Sequence, residues 1–405
     1  MRTTAVLNAV HIGRLIKEKW WRKGKLKLEG CRAQKVLTEN NIKLYQYEDL
    51  EPKPLLMEEK NPLIPVELPL DKNHPDYKAE PCYIYGDNDV LVEGLEQAKI
   101  LTKCEDIAQL PQSLIDAENK VELTDSFNEE VQRRILQSCV FDAHQEKLPK
   151  RKDPQRPAYN FPRDYGITDI RKNKLLLNNL VQLCDQYTST FDKSISNDAL
   201  FIYPMRAFGK LIQLELSAEV AVRSLTPLSP PKETENDERN PIKDMYPIHC
   251  TISLKPNHFY NKQNFFAFSG TKMPYIHTVF FSFNKTEVMN LYEEPVTTDQ
   301  ILGRNLMKGF AVASSQARAL YGDDVTELEK PVVIQIVMAD EGNIHFSVFQ
   351  LNSLDVENEN GKKNLYWNSP IISLYDQCQY INGIPMLEGF NPDVMKRMMA
   401  FYRNQ

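Results

Sequence analysis

The residues most able to do acid–base or metal chemistry in this sequence are its seven histidines. They are His11, His74, His144, His249, His258, His277 and His345. No two of them stand four residues apart, and no His-Glu-x-x-His sequence occurs, although these are the spacings that put two metal ligands on one helix face. We therefore expect no metal site.

The cysteines give an equally weak signal for catalysis. They are Cys31, Cys82, Cys104, Cys139, Cys184, Cys250 and Cys378, and none lies within four residues of another, so Cys-x-x-Cys is absent. The odd number in a chain of 405 residues argues against a disulfide scaffold and favours a reducing compartment. A nucleophilic pair such as Cys184 with His277 stays open, because such pairs assemble in space, but nothing in the sequence promotes it and we expect no enzyme.

Contact with a polyanion is the chemistry that the charge distribution favours. Residues 1–35 contain ten Lys or Arg and two Glu, and residues 147–174 contain nine Lys or Arg and three Asp. The net charge of the whole chain is nevertheless −6, so the remainder is strongly acidic. An isoelectric point of about 5.8 excludes a uniformly basic nucleic-acid-binding domain. Two basic segments on an acidic body indicate local contact with a polyanion or an anionic surface.

Aromatic residues lie among the cations of both basic segments. Trp20 and Trp21 stand in the first, and Tyr159, Phe161 and Tyr165 in the second. Aromatic faces beside cations suit RNA, where bases are stacked and phosphates are bound. The alternatives are a solvated tail for the first segment and a mobile charged linker for the second. The candidate RNA contacts are Arg14, Lys17, Lys19, Trp20, Trp21, Arg22, Lys23, Lys25, Lys27, Lys150, Arg151, Lys152, Arg156, Tyr159, Arg163, Arg171 and Lys172.

The first residues resemble a targeting segment. Residues 1–17 contain Arg2, Arg14 and Lys17 and no acidic residue, a composition typical of a mitochondrial transit peptide; the alternative is an ordinary basic tail. Residues 48–75 then contain six prolines, which disfavour helix and predict an extended arm. No run approaches the roughly 18 apolar residues of a membrane span.

The best-defined elements lie between Leu306 and Trp367. Apolar residues at steps of four and three predict a helix that ends at Gly322, after a cap at Thr297-x-x-Gln300. Residues 331–337 and 344–351 are β-branched and aromatic, with a glycine-containing loop between them, and predict a hairpin whose first strand is central in a sheet. Other helices are predicted at 91–101, 176–187 and after a cap at Asn391, and Ser126-x-x-Glu129 predicts a further helix start.

These elements predict a mixed α+β protein with a mostly antiparallel sheet, packed helices and an extended N-terminal arm. We divide the chain into a basic, then proline-rich arm (1–73), a helix-rich part (74–225) with the basic loop 147–174, an acidic and proline-rich loop (226–245), and an α+β part (246–405) that contains the central helix and hairpin.

The order of short sequences along the chain resembles that of a known family, the mitochondrial large-subunit ribosomal protein numbered thirty-seven. The similarity runs from about residue 74 to the C-terminus. It is carried by His74-Pro-Asp-Tyr-Lys78, Cys82-Tyr-Ile-Tyr85, Glu93-Gly-Leu, Leu101-Thr-Lys103, Asn179-Leu-Val-Gln-Leu-Cys184, Tyr246-Pro-Ile248, Ala317-Arg-Ala-Leu-Tyr-Gly322, Leu328-Glu-x-Pro-Val-Val333, His345-Phe, Val348-Phe-Gln-Leu-Asn352, Lys363-Asn-Leu-x-Trp367 and Gly389-Phe-Asn-Pro392.

The resemblance implies a structural constituent of the mitochondrial large ribosomal subunit, in the mitochondrial matrix, without cofactor or membrane span. Its partners would be the large-subunit rRNA and neighbouring ribosomal proteins, including the family's sibling numbered thirty. The first 73 residues do not follow the family pattern, so a role of Trp20 and Trp21 in RNA contact rests on composition alone. The alternative is a small-ligand-binding or catalytic α/β domain in mitochondria.

Overall fold

The chain forms two units, Met1–Pro69 and Leu70–Gln405. The computed structural model describes residues 16–17, 32–45, 71–148, 150, 155–156, 159, 161–162, 164–188, 192–207, 209–232, 254–284, 288, 294–357, 362–381 and 384–405. Within the first unit it describes one helix, α1 (Arg32–Glu39), which buries no residue. Most of the predicted arm, including the proline-rich stretch from residue 46 to residue 70, lies outside the described residues.

The second unit alternates helices and strands from Cys82 to the end of the chain. In the described ranges its elements are β1 (Cys82–Gly86), α2 (Gly94–Leu101), β2 (Cys104–Ile107), α3 (Gln112–Asn119), α4 (Asp125–Cys139), β3 (Glu146–Lys147), β4 (Tyr165–Gly166), α5 (Asp169–Thr188), β5 (Lys193–Ala207), β6 (Lys210–Ser224), β7 (Pro256–Asn257), β8 (Phe265–Phe266), β9 (Tyr275–Ser282), α6 (Thr298–Tyr321), β10 (Glu327–Asp340), β11 (Asn343–Ser353), β12 (Asn364–Asn368), β13 (Ile372–Ser373), β14 (Gln377–Ile381), β15 (Ile384–Glu388) and α7 (Pro392–Arg403).

One large mixed sheet holds the second unit together. Its main path runs β2–β12–β11–β10–β9–β6–β1–β7. Strand β5 pairs along β6, and the short strands β8 and β13 pair with β5 and β11, respectively. The pairs β1–β6, β9–β10 and β2–β12 are parallel, and the other pairs of this sheet are antiparallel. The predicted fold class, α+β with a mostly antiparallel sheet, is confirmed.

Helices cover both faces of this sheet. On one face α2 and α6 bury apolar residues against β5, β6, β10 and β11, among them Leu95, Phe310 and Phe349. On the other face α3, α4, α5 and α7 pack, with Val131, Leu180 and Met398 in that core. Phe266, Phe268 and Phe281 lie in the first core and Phe280 in the second, whereas Phe283 belongs to a third cluster and Phe265 is 43% exposed. The sheet is thus the middle of three layers, as two packed faces require.

The predicted central helix and hairpin are confirmed. The Thr297 side chain and the Gln300 side chain form a reciprocal capping box at the start of α6, and the helix ends at Tyr321, before Gly322 with φ +101°. Strands β10 and β11 are antiparallel, and the turn between them consists of Glu341 and Gly342. Strand β10 lies between β9 and β11, as its apolar composition on both faces predicts.

The other predicted helix starts have mixed outcomes. Asn391 caps α7, because its side chain accepts from the main-chain N–H of Asp393. The capping box at Ser126 is wrong: Thr124 is the cap of α4, and its hydroxyl accepts from the N–H of Phe127. A threonine two residues earlier satisfies the same free N–H groups, so the helix starts before the predicted position.

Candidate functional site

His277 is the histidine that the sequence left open as a catalytic base. In the structure its side chain holds the C-terminal residues against the sheet. Its Nε2–H donates to the main-chain carbonyl of Asn404 (2.7 Å), and its Nδ1 accepts from the Thr278 hydroxyl (2.8 Å). Burial lowers the pKa of His277 to about 3 and raises that of Cys184 to about 12. Among the residues that the structure describes, no hydrogen bond joins Cys184 to His277. The pair therefore lacks the hydrogen bond that would join a nucleophile to its base.

A second buried histidine, His345, belongs to a polar cluster between α6 and the sheet. Its Nε2–H donates to the Asn368 side-chain oxygen (2.6 Å), and its Nδ1 accepts from the amide of Asn305 (3.2 Å). The same amide nitrogen lies 3.2 Å from the Ser347 hydroxyl and 3.3 Å from that of Tyr366. Burial lowers the pKa of His345 to about 4, so the ring is neutral and fixes α6 to the strands.

A buried ion pair lies under the same helix. The ammonium of Lys308, on α6, is 2.7 Å from Asp87 Oδ1 and donates to the main-chain carbonyl of Ser217 (3.2 Å). Arg304, one turn earlier, donates to the carbonyls of Asp87 and Ser282. Burial alone would raise the pKa of Asp87, but the Lys308 ammonium lowers it below its usual range. These cations neutralise and anchor neighbouring segments, which is a structural use of charge.

Strands β3 and β4 form a short ladder at the second basic segment. Strands β3 and β4 pair Lys147 with Tyr165, and the Leu148 N–H donates to the Asp164 carbonyl (3.0 Å). Lys147, Lys150 and Arg156 are exposed. None of these three cations forms an ion pair with a residue in the described part of the chain.

Exposed aromatic rings accompany these cations. Tyr159 is 57% exposed and stands edge-to-face on Phe161, with ring centroids 4.7 Å apart. Tyr165 is 67% exposed, and Phe141, just after α4, is 58% exposed. Exposed rings and exposed cations in one short segment are the residue types with which proteins bind unstacked bases. The sequence did not indicate Phe141 as a candidate, because this residue lies before the basic segment 147–174.

Two candidate RNA contacts have acidic partners within the protein. Arg171 forms a two-point ion pair with Asp142, and this hydrogen bonding lowers the pKa of the Asp142 carboxyl. Lys172 donates to Asp169 (3.0 Å), three residues earlier on α5. Both pairs are partly exposed, so they add little stability, but they lower the net charge of this end of the segment.

The remaining candidates are unevenly described. Lys17 is exposed. Most of the cationic N-terminal candidates and three of the second segment lie outside the described residues, namely Arg14, Lys19, Trp20, Trp21, Arg22, Lys23, Lys25, Lys27, Arg151, Lys152 and Arg163. Within the described ranges no helix is long and apolar enough to cross a membrane, and no group of three or more His, Cys, Asp or Glu side chains is arranged to hold a metal ion.

Comparison with known proteins connects this fold to the mitochondrial ribosome. A family model described as mitochondrial 28S ribosomal protein S30 (PDCD9) matches residues 210–405, from β6 to the C-terminus. The large ribosomal subunit protein mL37 of Bos taurus is 28% identical over 355 residues, which cover 83% of this chain and 78% of that protein. The chain is a homologue of the mL37 proteins.

Further mL37 proteins match over a similar extent. That of Rattus norvegicus is 28% identical over 345 residues (81% of this chain, 76% of the relative), and that of Gallus gallus is 25% identical over 351 residues (82% and 76%). The family model is described by a 28S ribosomal protein, whereas the mL37 relatives are named for the large subunit. The mL37 matches extend over more than the strands and helices after residue 210, so they are the better guide to the whole chain.

Proposed function

We propose that this chain is a structural constituent of the mitochondrial large ribosomal subunit and resides in the mitochondrial matrix. The observation that carries the proposal is the similarity to mL37 proteins over about four fifths of the chain. The side chains most suited to catalysis give independent support. His277 and His345 are both buried and hydrogen-bonded within the fold. Buried polar groups that find partners inside the fold in this way serve packing.

The proposed RNA contact is the surface around β3 and β4. Lys147, Lys150 and Arg156 supply exposed positive charge, and Tyr159 and Tyr165 supply exposed rings. Phosphate contacts of this kind position a protein without reading sequence. The cationic N-terminal candidates around Trp20 and Trp21 would add a second contact. Arg171 and Lys172 would contribute less binding free energy. Each would first have to break its ion pair, with Asp142 and with Asp169, respectively.

The proposed protein partners are neighbouring ribosomal proteins, including the sibling numbered thirty. The acidic body would otherwise be repelled by rRNA, so protein neighbours suit most of its surface. Residues 210–405 match a family described as S30, which gives similarity to the sibling; contact with it is the proposal. Chemical cross-linking of purified large subunits tests this neighbour directly: cross-links from the second unit to the sibling support it, and their absence among cross-links to other proteins counts against it.

The function is tested by sedimentation of the tagged full-length protein from mitochondrial lysate. We expect co-migration with the large subunit and loss of that peak after ribonuclease treatment. A single peak at the position of free protein would contradict the ribosomal role and would favour the ligand-binding alternative.

Charge reversal tests the proposed RNA surface within the same assay. The variant Lys147→Glu, Lys150→Glu, Arg156→Glu should leave the subunit at a lower salt concentration than the wild type, because fewer phosphates are neutralised. The matched control, Lys210→Glu, Lys262→Glu, Lys272→Glu, changes three exposed lysines elsewhere on the unit by the same total charge. Equal release of both variants would refute this surface while leaving subunit membership intact.

A further inference from the structure

Two cysteines that are far apart in the sequence meet at the end of α4. Cys139 is the last residue of α4, and Cys378 lies on β14 of the small β14–β15 sheet. Their side chains line the same cavity and interact with each other, and the sulfur of Cys139 is 3.4 Å from the Tyr375 hydroxyl. Both cysteines are free thiols. The fold therefore brings the two side chains to one place.

This thiol pair opens onto a cavity. Cys139 and Cys378 line a space of about 390 Å³ together with Lys172, Tyr375 and Asp376. That volume is within the roughly 300–1,000 Å³ typical of small-molecule sites. Both cysteines are half-buried. In contrast, three further described cysteines are buried, namely Cys82, Cys104 and Cys184.

The surroundings give the two sulfurs different reactivity. Interaction with the Cys378 thiol, the Tyr375 hydroxyl and the Lys172 ammonium lowers the pKa of Cys139 despite its burial. Interaction with Cys139 and burial raise the pKa of Cys378. The thiolate is the nucleophile in disulfide exchange, so these opposite directions favour Cys139 as the attacking sulfur and Cys378 as the resolving one.

We propose that Cys139 and Cys378 are a modification site, a dithiol that a low-molecular-weight disulfide such as glutathione disulfide converts reversibly to an intramolecular disulfide. The Cys139 thiolate attacks one glutathione sulfur, forms a mixed disulfide and expels a glutathione thiolate. The Cys378 thiol then loses its proton to solvent and attacks the Cys139 sulfur, which expels the second glutathione. Two electrons pass from the protein thiols to the oxidant, which becomes two molecules of glutathione.

The disulfide would fix the β14–β15 hairpin to the end of α4. A two-stranded sheet alone is marginally stable, and its position depends on what it packs against. This hairpin carries exposed apolar side chains, including Tyr380 (60% exposed) and Ile384 (62% exposed). Oxidation would therefore restrict the motion of an exposed apolar surface, and reduction would release it.

The proposal is tested by peptide mapping of the reduced full-length protein after incubation with glutathione disulfide. We expect a cross-linked pair of peptides containing Cys139 and Cys378, reversed by dithiothreitol, with Cys104 and Cys184 still free for alkylation after denaturation. In denaturant the fold no longer holds the two cysteines together. The Cys139–Cys378 disulfide should then form no more often than disulfides between other cysteines. Free Cys139 and Cys378 after native oxidation, or the same preference in denaturant, would overturn the proposal.

Single variants test the order of attack. Cys378→Ser should accumulate a glutathione mixed disulfide at Cys139, because the resolving thiol is gone. In the Cys139→Ser variant, Cys378 should form its mixed disulfide with glutathione at least tenfold more slowly than Cys139 does in Cys378→Ser. Equal rates at the two positions would overturn the assigned roles. Wild-type mapping decides the proposal independently of both variants, so a folding defect in either one leaves the test intact.

Discussion

Gly94 and Gly303 meet main chain to main chain where α2 and α6 cross. A Cβ atom on Gly303 would lie 2.5 Å from the carbonyl carbon and oxygen of Gly94. Gly94 itself has φ +60°, and a Cβ there would lie 2.6 Å from the main chain of Asp299. Each glycine is thus needed for the approach of the other helix, because a side chain at either position would hold the two helices apart.

Replacing Gly303 should destabilise the second unit. In a free helix, Gly→Ala adds about 0.5–1 kcal/mol of stability, but here the methyl group meets main-chain atoms that cannot rotate away. We expect Gly303→Ala to lower the free energy of unfolding by about 1–3 kcal/mol, measured by urea denaturation.

Gly309→Ala on the same helix is the matched control for that variant. Its Cβ would lie 2.4 Å from Cδ1 of Ile336, the end of a side chain that can change rotamer. The loss should be smaller than at Gly303. If Gly303→Ala loses less stability than Gly309→Ala, the main-chain contact at the helix crossing is not the tighter constraint.

The ion pair of Lys308 and Asp87 should respond unequally to removal of its two partners. Lys308 is 2% exposed, whereas the Asp87 side chain is 32% exposed. Asp87→Asn would remove the carboxylate that contacts the buried ammonium and leave the charge of Glu219 to compensate it, so the cost should stay below about 3–5 kcal/mol, the cost of a fully unpaired buried charge. Lys308→Met would remove the buried charge and leave a carboxylate that water reaches, so its cost should be lower. Urea denaturation of both single variants and the double variant measures the coupling, and equal costs would contradict the asymmetry.

Much of the central part of this fold is predictable from sequence because its determinants are local. The period of α6, its capping box at Thr297 and Gln300, and the β-branched strands on either side of Glu341 and Gly342 are written in consecutive residues. Local propensities agree with the final packing here, so prediction and structure coincide.

The partners of strands and of charges are not local, and these could not be predicted. Strand β1 pairs in parallel with β6, Cys82 opposite Leu211, and no short-range pattern encodes that choice. Arg171 finds Asp142, which lies 29 residues earlier. The contact of Cys139 with Cys378 likewise depends on where α4 and β14 are brought by the whole fold. Residue types predicted a cationic surface, but only the structure separates the cations that pair with a described carboxylate from those that do not.

Stability should fall as the pH falls from 7 to 5, because His277 and His345 are buried and neutral. Their folded pKa values are about 3 and about 4, against an ordinary value of 6.5. Below pH 6.5 the unfolded chain therefore binds protons that the folded chain does not, so acid favours unfolding. The two histidines together should remove about 3–4 kcal/mol between pH 7 and pH 5.

Denaturation in urea at a series of pH values measures this dependence. His345→Gln should roughly halve the slope of unfolding free energy against pH, even if its stability at pH 7 is also lower. The matched control is His144→Gln, at an exposed position, which should leave the slope unchanged. A wild-type slope near zero between pH 7 and pH 5 would contradict the neutral, buried state of both rings.

The exposed rings of Tyr159 and Tyr165 should matter for RNA contact through their faces and not through their hydroxyl groups. If each stacks on a base, Tyr→Ala at either position removes about 1–3 kcal/mol of binding free energy, whereas Tyr→Phe keeps the ring and most of the affinity. The salt concentration that releases half of the protein from purified large subunits measures the loss. Tyr380→Ala, at a tyrosine of similar exposure on β14, is the control. Equal release of the Ala and Phe variants would rule out stacking and leave the cations of this segment as its sole means of binding.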